Sequence, residues 1–404
     1  MGSELKDLNS KPAKTQQPDP NDDDASAKDH RPLLESTASS AAEDIQELEK
    51  KFAAFVRNDV YGSLGCGKLP LKEKLLLGIA LVTLLPLRLL LVMSILVLYY
   101  LICKIFTLCS APNLEEDQED YAHLGGCRRA VILQSGRYLS RLLLFMVGFY
   151  WINETHKDSA NTQDNSKTES TKQSEERVRS GAIVSNHLSY LDVLYHMSSS
   201  FPSFVAKKSV SKLPLVGLIG KCLGCVFVQR ESKSSDFKGV AGIVTDRVRN
   251  AHQNELAPMI LLFPEGTTTN GDFLLPFKTG AFLAGAPVMP VILRYSYRRF
   301  SPAWESISGV RHVVFLLCQF VNNLEVTRLP IYHPSQQEKD NPKLYANNVR
   351  KLMAAEGDLI VSDIGLAEKR IYLAALNVEF LSLHSQRHCN SILNFLIHEK
   401  YGHP

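Results

Sequence analysis

The chain has little of what marks several common protein classes. Its 404 residues carry a formal net charge of only +3, and no stripe of alternating Lys/Arg and aromatic residues appears, so nothing points to a nucleic-acid partner. Eight cysteines are scattered, and the one close pair, Cys222-Leu223-Gly224-Cys225, has no second pair at zinc-ribbon spacing. That usage fits a reduced, cytosol-facing protein, and the pair reads most simply as a turn entering a strand. The histidines and cysteine near the end, His384, His388, Cys389, His398 and His403, also lack paired spacing, so no metal is expected. The chain opens without a cleavable signal peptide and contains no EF-hand loop.

What is present divides the chain by composition. Residues 1–41 are rich in Asp, Pro, Ser and Lys, offer no apolar face, and are expected to form a disordered tail. Residues 42–74 read as an amphipathic helical region, from Ile45, Leu48, Phe52 and Phe55 at helical spacing. Leu75 to Cys103 is apolar except for Arg88; as a helix it would measure about 43 Å against a hydrocarbon core of about 30 Å, so 75–103 is expected to be membrane-embedded. An arginine at the bilayer centre costs about 2.5 to 3.5 kcal/mol, and Pro86 removes a helical hydrogen bond. Lys68, Lys72 and Lys74 precede the segment and Lys104, Arg128 and Arg129 follow it, so charge does not decide for a crossing. A re-entrant hairpin turning at Pro86–Arg88 is preferred to a transmembrane span.

Residues 104–154 are expected to be a membrane-interfacial helical region, whose apolar stretch Leu142 to Ile152 lies either at the interface or in a core. A flexible polar linker follows at 155–178, the main domain occupies 179–376, and 377–404 is an unassigned tail. Within the main domain, strand-like runs recur at Gly181–Val184, Phe204–Ala206, Cys225–Val228, Met259–Phe263, Val288–Leu293 and Val313–Phe320. Helix-length segments such as Asp236–His252 and Lys343–Ala355 separate or follow them. The alternation predicts an α/β domain with a largely buried mixed sheet flanked by helices, preceded by the membrane-embedded helical segment.

The segment after the first strand, Asn186-His187-Leu188-Ser189-Tyr190-Leu191-Asp192, carries the chemistry. A histidine followed five residues later by an aspartate suits general-base work, because the carboxylate can orient the imidazole and stabilise the imidazolium. Five residues of regular helix turn about 500°, so the pair meets only if His187 precedes the helix and Asp192 lies in its first turns. Twelve histidines give roughly even odds of one chance match, so the spacing is weak by itself. Three further blocks follow in order: Gly224-Cys225-Val226-Phe227-Val228-Gln229-Arg230, Phe263-Pro264-Glu265-Gly266-Thr267-Thr268-Thr269-Asn270, and Ala286-Pro287-Val288-Met289-Pro290-Val291.

Over about residues 175 to 300, these blocks together resemble the glycerophospholipid acyltransferase superfamily, the relatives of 1-acylglycerol-3-phosphate acyltransferases. The Phe-Pro-Glu-Gly block and the following Phe277-Lys278-Thr279-Gly280-Ala281-Phe282 are most similar to the lysophosphatidylcholine and lysophosphatidylethanolamine acyltransferases, particularly the plant lysophosphatidylethanolamine type. The resemblance implies His187 as base and Asp192 as its orienting carboxylate. Gly224, Phe227, Arg230, Glu265, Gly266, Thr267 and Thr268 fall to acceptor binding. Pro287 and Pro290 are expected to shape the acyl or CoA pocket. Lysophosphatidate enzymes usually have Arg where Thr268 stands, which removes the natural partner of a terminal phosphate; Thr268→Arg should then favour lysophosphatidate. Lys207, Lys208 and Lys212 meet CoA phosphates or anionic headgroups, or form a solvated face.

The expected reaction is transfer of an acyl group from acyl-CoA, a co-substrate rather than a bound cofactor, to the free hydroxyl of a lysophospholipid. Lysophosphatidylethanolamine is the preferred acceptor, with lysophosphatidylcholine also open. The motif supplies a base but no nucleophilic Ser or Cys at a strained elbow, so attack is direct. The partners are membrane lipids and the two substrates, and the setting is the endoplasmic reticulum membrane with the site facing the cytosol. The alternatives are a lysophosphatidate or glycerol-3-phosphate acyltransferase, and a catalytically inactive lipid-binding protein.

Overall fold

The computed structural model describes residue 47 and residues 49–115, 118–157, 179–228 and 234–377. After short helical turns at Ala53–Phe55 and Ser63–Gly65 come two longer helices, α1 (Leu71–Val82) and α2 (Leu84–Thr107). The residue between them, Thr83, has φ −102° and ψ −59°, and its N–H bonds to the Ile79 carbonyl, so the chain bends there without reversing. The hairpin expected at Pro86–Arg88 is absent: Pro86 lies in the first turn of α2, where a missing N–H is tolerated. With 24 residues, α2 is about 36 Å long, and it is long and apolar enough to cross a membrane. Arg88, Ile95, Tyr99 and Cys103 are buried, forming one stripe against the domain, while Leu90, Met93, Val97 and Leu101 are exposed on the other side.

Arg88 is removed from any apolar solvent by the protein itself. Its guanidinium donates to the carbonyls of Leu317 (3.0 Å), Gln319 and Phe320 (3.3 Å) and to the Tyr150 hydroxyl (3.1 Å). Helix α3 (Gly126–Met146) packs on α2; in the stretch 142–152 Leu144, Val147 and Phe149 are buried in the core, while Phe145 and Trp151 are exposed.

Seven strands form the central sheet: β1 (Ile152–His156), β2 (Ala182–Ser185), β3 (Ser203–Lys207), β4 (Val226–Val228), β5 (Ile260–Leu262), β6 (Val288–Arg294) and β7 (Leu324–Arg328). Their order is β1-β7-β6-β2-β5-β3-β4, with only the β6/β7 pair antiparallel. Three expectations differ. β1 takes in the start of the expected linker, Thr155 and His156; β7 had no counterpart in the sequence reading; and Val313–Phe320 is no strand, because helix α7 (Gly309–Leu317) runs through it. That helix buries Leu316 and Leu317 and exposes Val310 and Val313, a periodicity that a short apolar run hides.

Alternate residues of β2 serve two cores, since side chains along a strand point to opposite faces. Ile183 joins the face covered by α2, α3, α4 (Leu191–Ser199) and α5 (Val216–Cys222), whereas Ala182 and Val184 join the face covered by α6 (Ser234–Gln253) and α8 (Pro342–Gly357). Both α6 and α8 match expected helices. Asn341 caps α8 by accepting from Leu344 N at 3.2 Å, with Pro342 at the first helical position.

Candidate active site

The site lies where the central strand β2 ends. Asn186 completes the β2/β6 pairing with its side chain, donating to Leu293 O (2.9 Å) and accepting from Leu293 N (2.8 Å). The chain then turns before α4, which places His187 ahead of the helix and Asp192 in its first turn. His187 Nδ1 lies 2.9 Å from Asp192 Oδ2, with the imidazole 21% exposed and the carboxylate fully buried. Asp192 Oδ2 also accepts from Leu188 N (2.7 Å) and Ser189 N (2.9 Å), so it fixes the turn ahead of the helix while it holds the ring. Phe263, at the end of β5, stacks on the imidazole with centroids 4.1 Å apart. Nδ1 is engaged, and Nε2 is the nitrogen left to take a proton from a substrate.

The Phe263–Asn270 loop supports this turn from behind. Glu265 is 2% exposed, and its two oxygens accept from His187 N (2.8 Å) and Leu275 N (2.9 Å). Burial pushes its carboxyl up to about 8, against the lowering effect of those two N–H groups and with the Asp192 charge adding to the rise. Thr269 N donates to the His187 carbonyl at 3.0 Å. Thr268 also faces inward: its hydroxyl donates to Trp304 O and receives Lys369 Nζ at 2.8 Å, while the Thr268 carbonyl receives the same ammonium at 2.7 Å. The side chains of Glu265 and Thr268 are therefore both buried, whereas Gly266 and Thr267 are partly exposed. Gly266 has φ +71°, and a Cβ there would lie 2.5 Å from Lys278 Nζ, so the exposed Lys278 side chain closes over the loop at this glycine.

The other expected site residues are placed elsewhere. Gly224 has φ +70° in the turn entering β4, where a Cβ would meet Ala122, and Phe227 is buried on β4. Arg230 lies outside the described residues. Gly181 N bonds to Pro287 O, which puts Pro287 at the amino ends of the strands, at least about 13 Å of strand away from the His187 turn. Pro290 pairs with Val184 in mid-sheet; its carbonyl accepts from Leu329 N, so its missing N–H faces β7 just past the last paired residues. Pro287 directly precedes β6 and Pro290 lies within it, and neither lines the His187 turn.

Three side chains at the site carried no role in the sequence reading: Tyr295, which donates to Asp192 Oδ1 at 2.6 Å, Lys278 and Lys369. The Lys278 block was recognisable as a motif, but Tyr295 and Lys369 had no local signal. His196, by contrast, is fully buried one helix turn further on, where burial and then the charges of Arg328 and His187 hold it down to about 3. It stays neutral behind Phe263 and is no rival base.

Comparison with known proteins adds to this geometry. A family model described as Acyltransferase matches residues 149–294. Lysophospholipid acyltransferase LPEAT1 of Arabidopsis thaliana is 62% identical over 395 residues, covering 93% of this chain and 96% of that protein. The chain belongs to the lysophospholipid acyltransferases. Lysophosphatidylcholine acyltransferase 1 of Homo sapiens is 38% identical over 190 residues, 46% of this chain and 35% of the human protein. A crystal structure of the 1-acyl-sn-glycerophosphate (LPA) acyltransferase PlsC from Thermotoga maritima is also similar, at 16% identity and a TM-score of 0.37, over 57% of this enzyme and 81% of that chain.

Proposed function

We propose that this enzyme transfers an acyl group from acyl-CoA to the free glycerol hydroxyl of a lysophospholipid, with lysophosphatidylethanolamine the preferred acceptor. His187 removes the hydroxyl proton through Nε2, the oxygen attacks the thioester carbonyl, and the CoA thiolate leaves, to be protonated by the imidazolium. Asp192 holds the imidazole and stabilises its charged form. The observation that carries this reading is the 2.9 Å contact of His187 Nδ1 with the buried Asp192 at a half-open strand end. Among the described residues no nucleophilic Ser or Cys meets His187, which supports direct attack.

Headgroup choice rests on the motif resemblance and on the absence of an arginine in the Glu265–Asn270 loop. Lys278 over Gly266 offers one cation, suited to a phosphodiester, and Arg230 a second. Glu265 acts here by fixing the His187 backbone. Thr268→Arg, first expected to favour lysophosphatidate, would instead drive a second cation against Lys369, so a damaged loop is the expected outcome.

The membrane setting is read as the endoplasmic reticulum, with the site on the cytosolic face where soluble acyl-CoA is met. Support comes from the start of α1 being tied to the domain, where Glu73 binds Arg299 (2.9 Å), and from α2 packing on α3, where Tyr99 bonds Ile132 O (3.3 Å). The test is a panel of lysophospholipids with labelled acyl-CoA in membranes containing the protein. A higher kcat/KM for lysophosphatidylethanolamine than for lysophosphatidate supports the assignment, and the reverse order refutes it.

A further inference from the structure

We propose that Tyr295 is a positioning residue for acyl transfer, its hydroxyl on Asp192 Oδ1 setting how firmly the carboxylate holds His187. The inference rests on the reading of His187 as the base. Asp192 has two unlike oxygens: Oδ2 accepts from His187 Nδ1, Leu188 N and Ser189 N, while Oδ1 accepts only from Tyr295 among the described residues, at 2.6 Å. The three donors on Oδ2 belong to the same turn as the aspartate. Tyr295 comes from 103 residues away in sequence, directly after β6.

Two links therefore lock the His187 turn to β6, Asn186 to Leu293 by paired amide bonds and Asp192 to Tyr295 by the phenol. The Tyr295 ring packs against Phe149 at 5.7 Å and is buried, which holds the hydroxyl in place. Burial first, then the Asp192 charge and the hydrogen bond to it, raise the phenol well above its ordinary range, so it remains a donor at every working pH. The other titratable or charged groups around the pair are Glu265 beneath His187 N, Tyr190 and His196 on the same turn and helix, Arg328 beyond His196, and Arg350 beyond Glu265.

Removing the hydroxyl has two consequences with definite signs. The carboxylate loses the donor that fixes its plane, so the imidazole is less well aimed and kcat falls. It also loses a group that shares its negative charge, so the remaining charge acts more strongly on the imidazolium and His187 becomes harder to deprotonate. The acid limb of the rate profile then moves to higher pH. A role in packing alone would lower the amount of folded enzyme without moving that limb.

The experiment uses the full chain in membranes, with rates per folded enzyme for wild type, Tyr295→Phe, Asp192→Asn, the double variant and His187→Ala. Tyr295→Phe keeps the ring against Phe149 and should lower kcat about tenfold, with KM for both substrates within about twofold and the acid limb displaced upward. In the Asp192→Asn background the same change should cost less than about twofold, because Tyr295 acts through that carboxylate. Unchanged kcat with an unmoved acid limb, or an equal cost in both backgrounds, overturns the proposal. Activity retained by His187→Ala would instead overturn the assignment of the base, which keeps the two failures apart.

Discussion

Two buried ionisable groups hold the loop behind His187, Glu265 and Lys369, and each makes a different prediction. Glu265 accepts two backbone N–H groups, one at each oxygen. Glu265→Gln keeps the shape but presents an amide N–H₂ to one of those donors, leaving a buried clash of donors that typically costs about 1 to 3 kcal/mol. The expected outcome is a lower melting temperature together with lost activity, read by thermal unfolding and acyl transfer on the same sample; unchanged stability would remove Glu265 from this role. Burial holds the Lys369 ammonium down to about 8 from an ordinary 10.5, with Glu265 and Glu305 countering in part. A depressed lysine is protonated more readily unfolded than folded, so its contribution to stability is present above 10.5 and is lost as pH falls to 8. Wild type should gain stability relative to Lys369→Met as pH rises from 8 to 10.5, and parallel melting curves across that window would contradict this. At this scale the sequence disclosed His187 and Asp192 because both lie in one turn. It could not disclose Tyr295 or Lys369, whose partners are 103 and 101 residues distant.

Among the elements, α2 shows how composition alone misleads. Pro86 and Arg88 in an apolar run suggested a reversal, because an arginine without partners is costly in hydrocarbon. The partners exist at the end of α7, where the last carbonyls of a helix need donors: Arg88 satisfies that of Leu317, the last helical residue, and those of Gln319 and Phe320 just beyond it. The arginine is a cap for a neighbouring helix. Arg88→Met should therefore leave buried carbonyls unpaired and destabilise the protein by about 2 kcal/mol, while membrane association persists through the apolar face of α2. Denaturation in mild detergent measures the first and membrane flotation the second; full stability in Arg88→Met would show that water or lipid headgroups replace the guanidinium. The same α7 was legible only as an apolar run; β1 escaped notice because the edge strand Ile152–His156 carries mostly exposed, polar residues, and β7 because only Leu324 and Val326 of its five residues are buried. Buried central strands were read within two residues of their observed ends.

For the whole molecule, the sheet divides the protein into an α2-bearing side and an α6/α8 side, with His187 emerging at the carboxyl end of the central strand between them. Open α/β sheets present ligands at that end, so the architecture and the motif agree. Arg57 on Glu305 and Glu73 on Arg299 tie residues 57 and 73 to the catalytic unit, and protease added outside sealed microsomes is expected to cut the 158–178 segment while Asn153, in the glycosylation sequence Asn153-Glu154-Thr155, stays free of glycan. Protection of that segment would move the site to the lumen. The central claim is base catalysis by His187, and it is tested most directly by acyl transfer to lysophosphatidylethanolamine with His187→Ala protein that is shown to be folded and membrane-bound. The account expects a loss of about 10² to 10⁴ in kcat with the variant's stability retained, and near-normal turnover would contradict it.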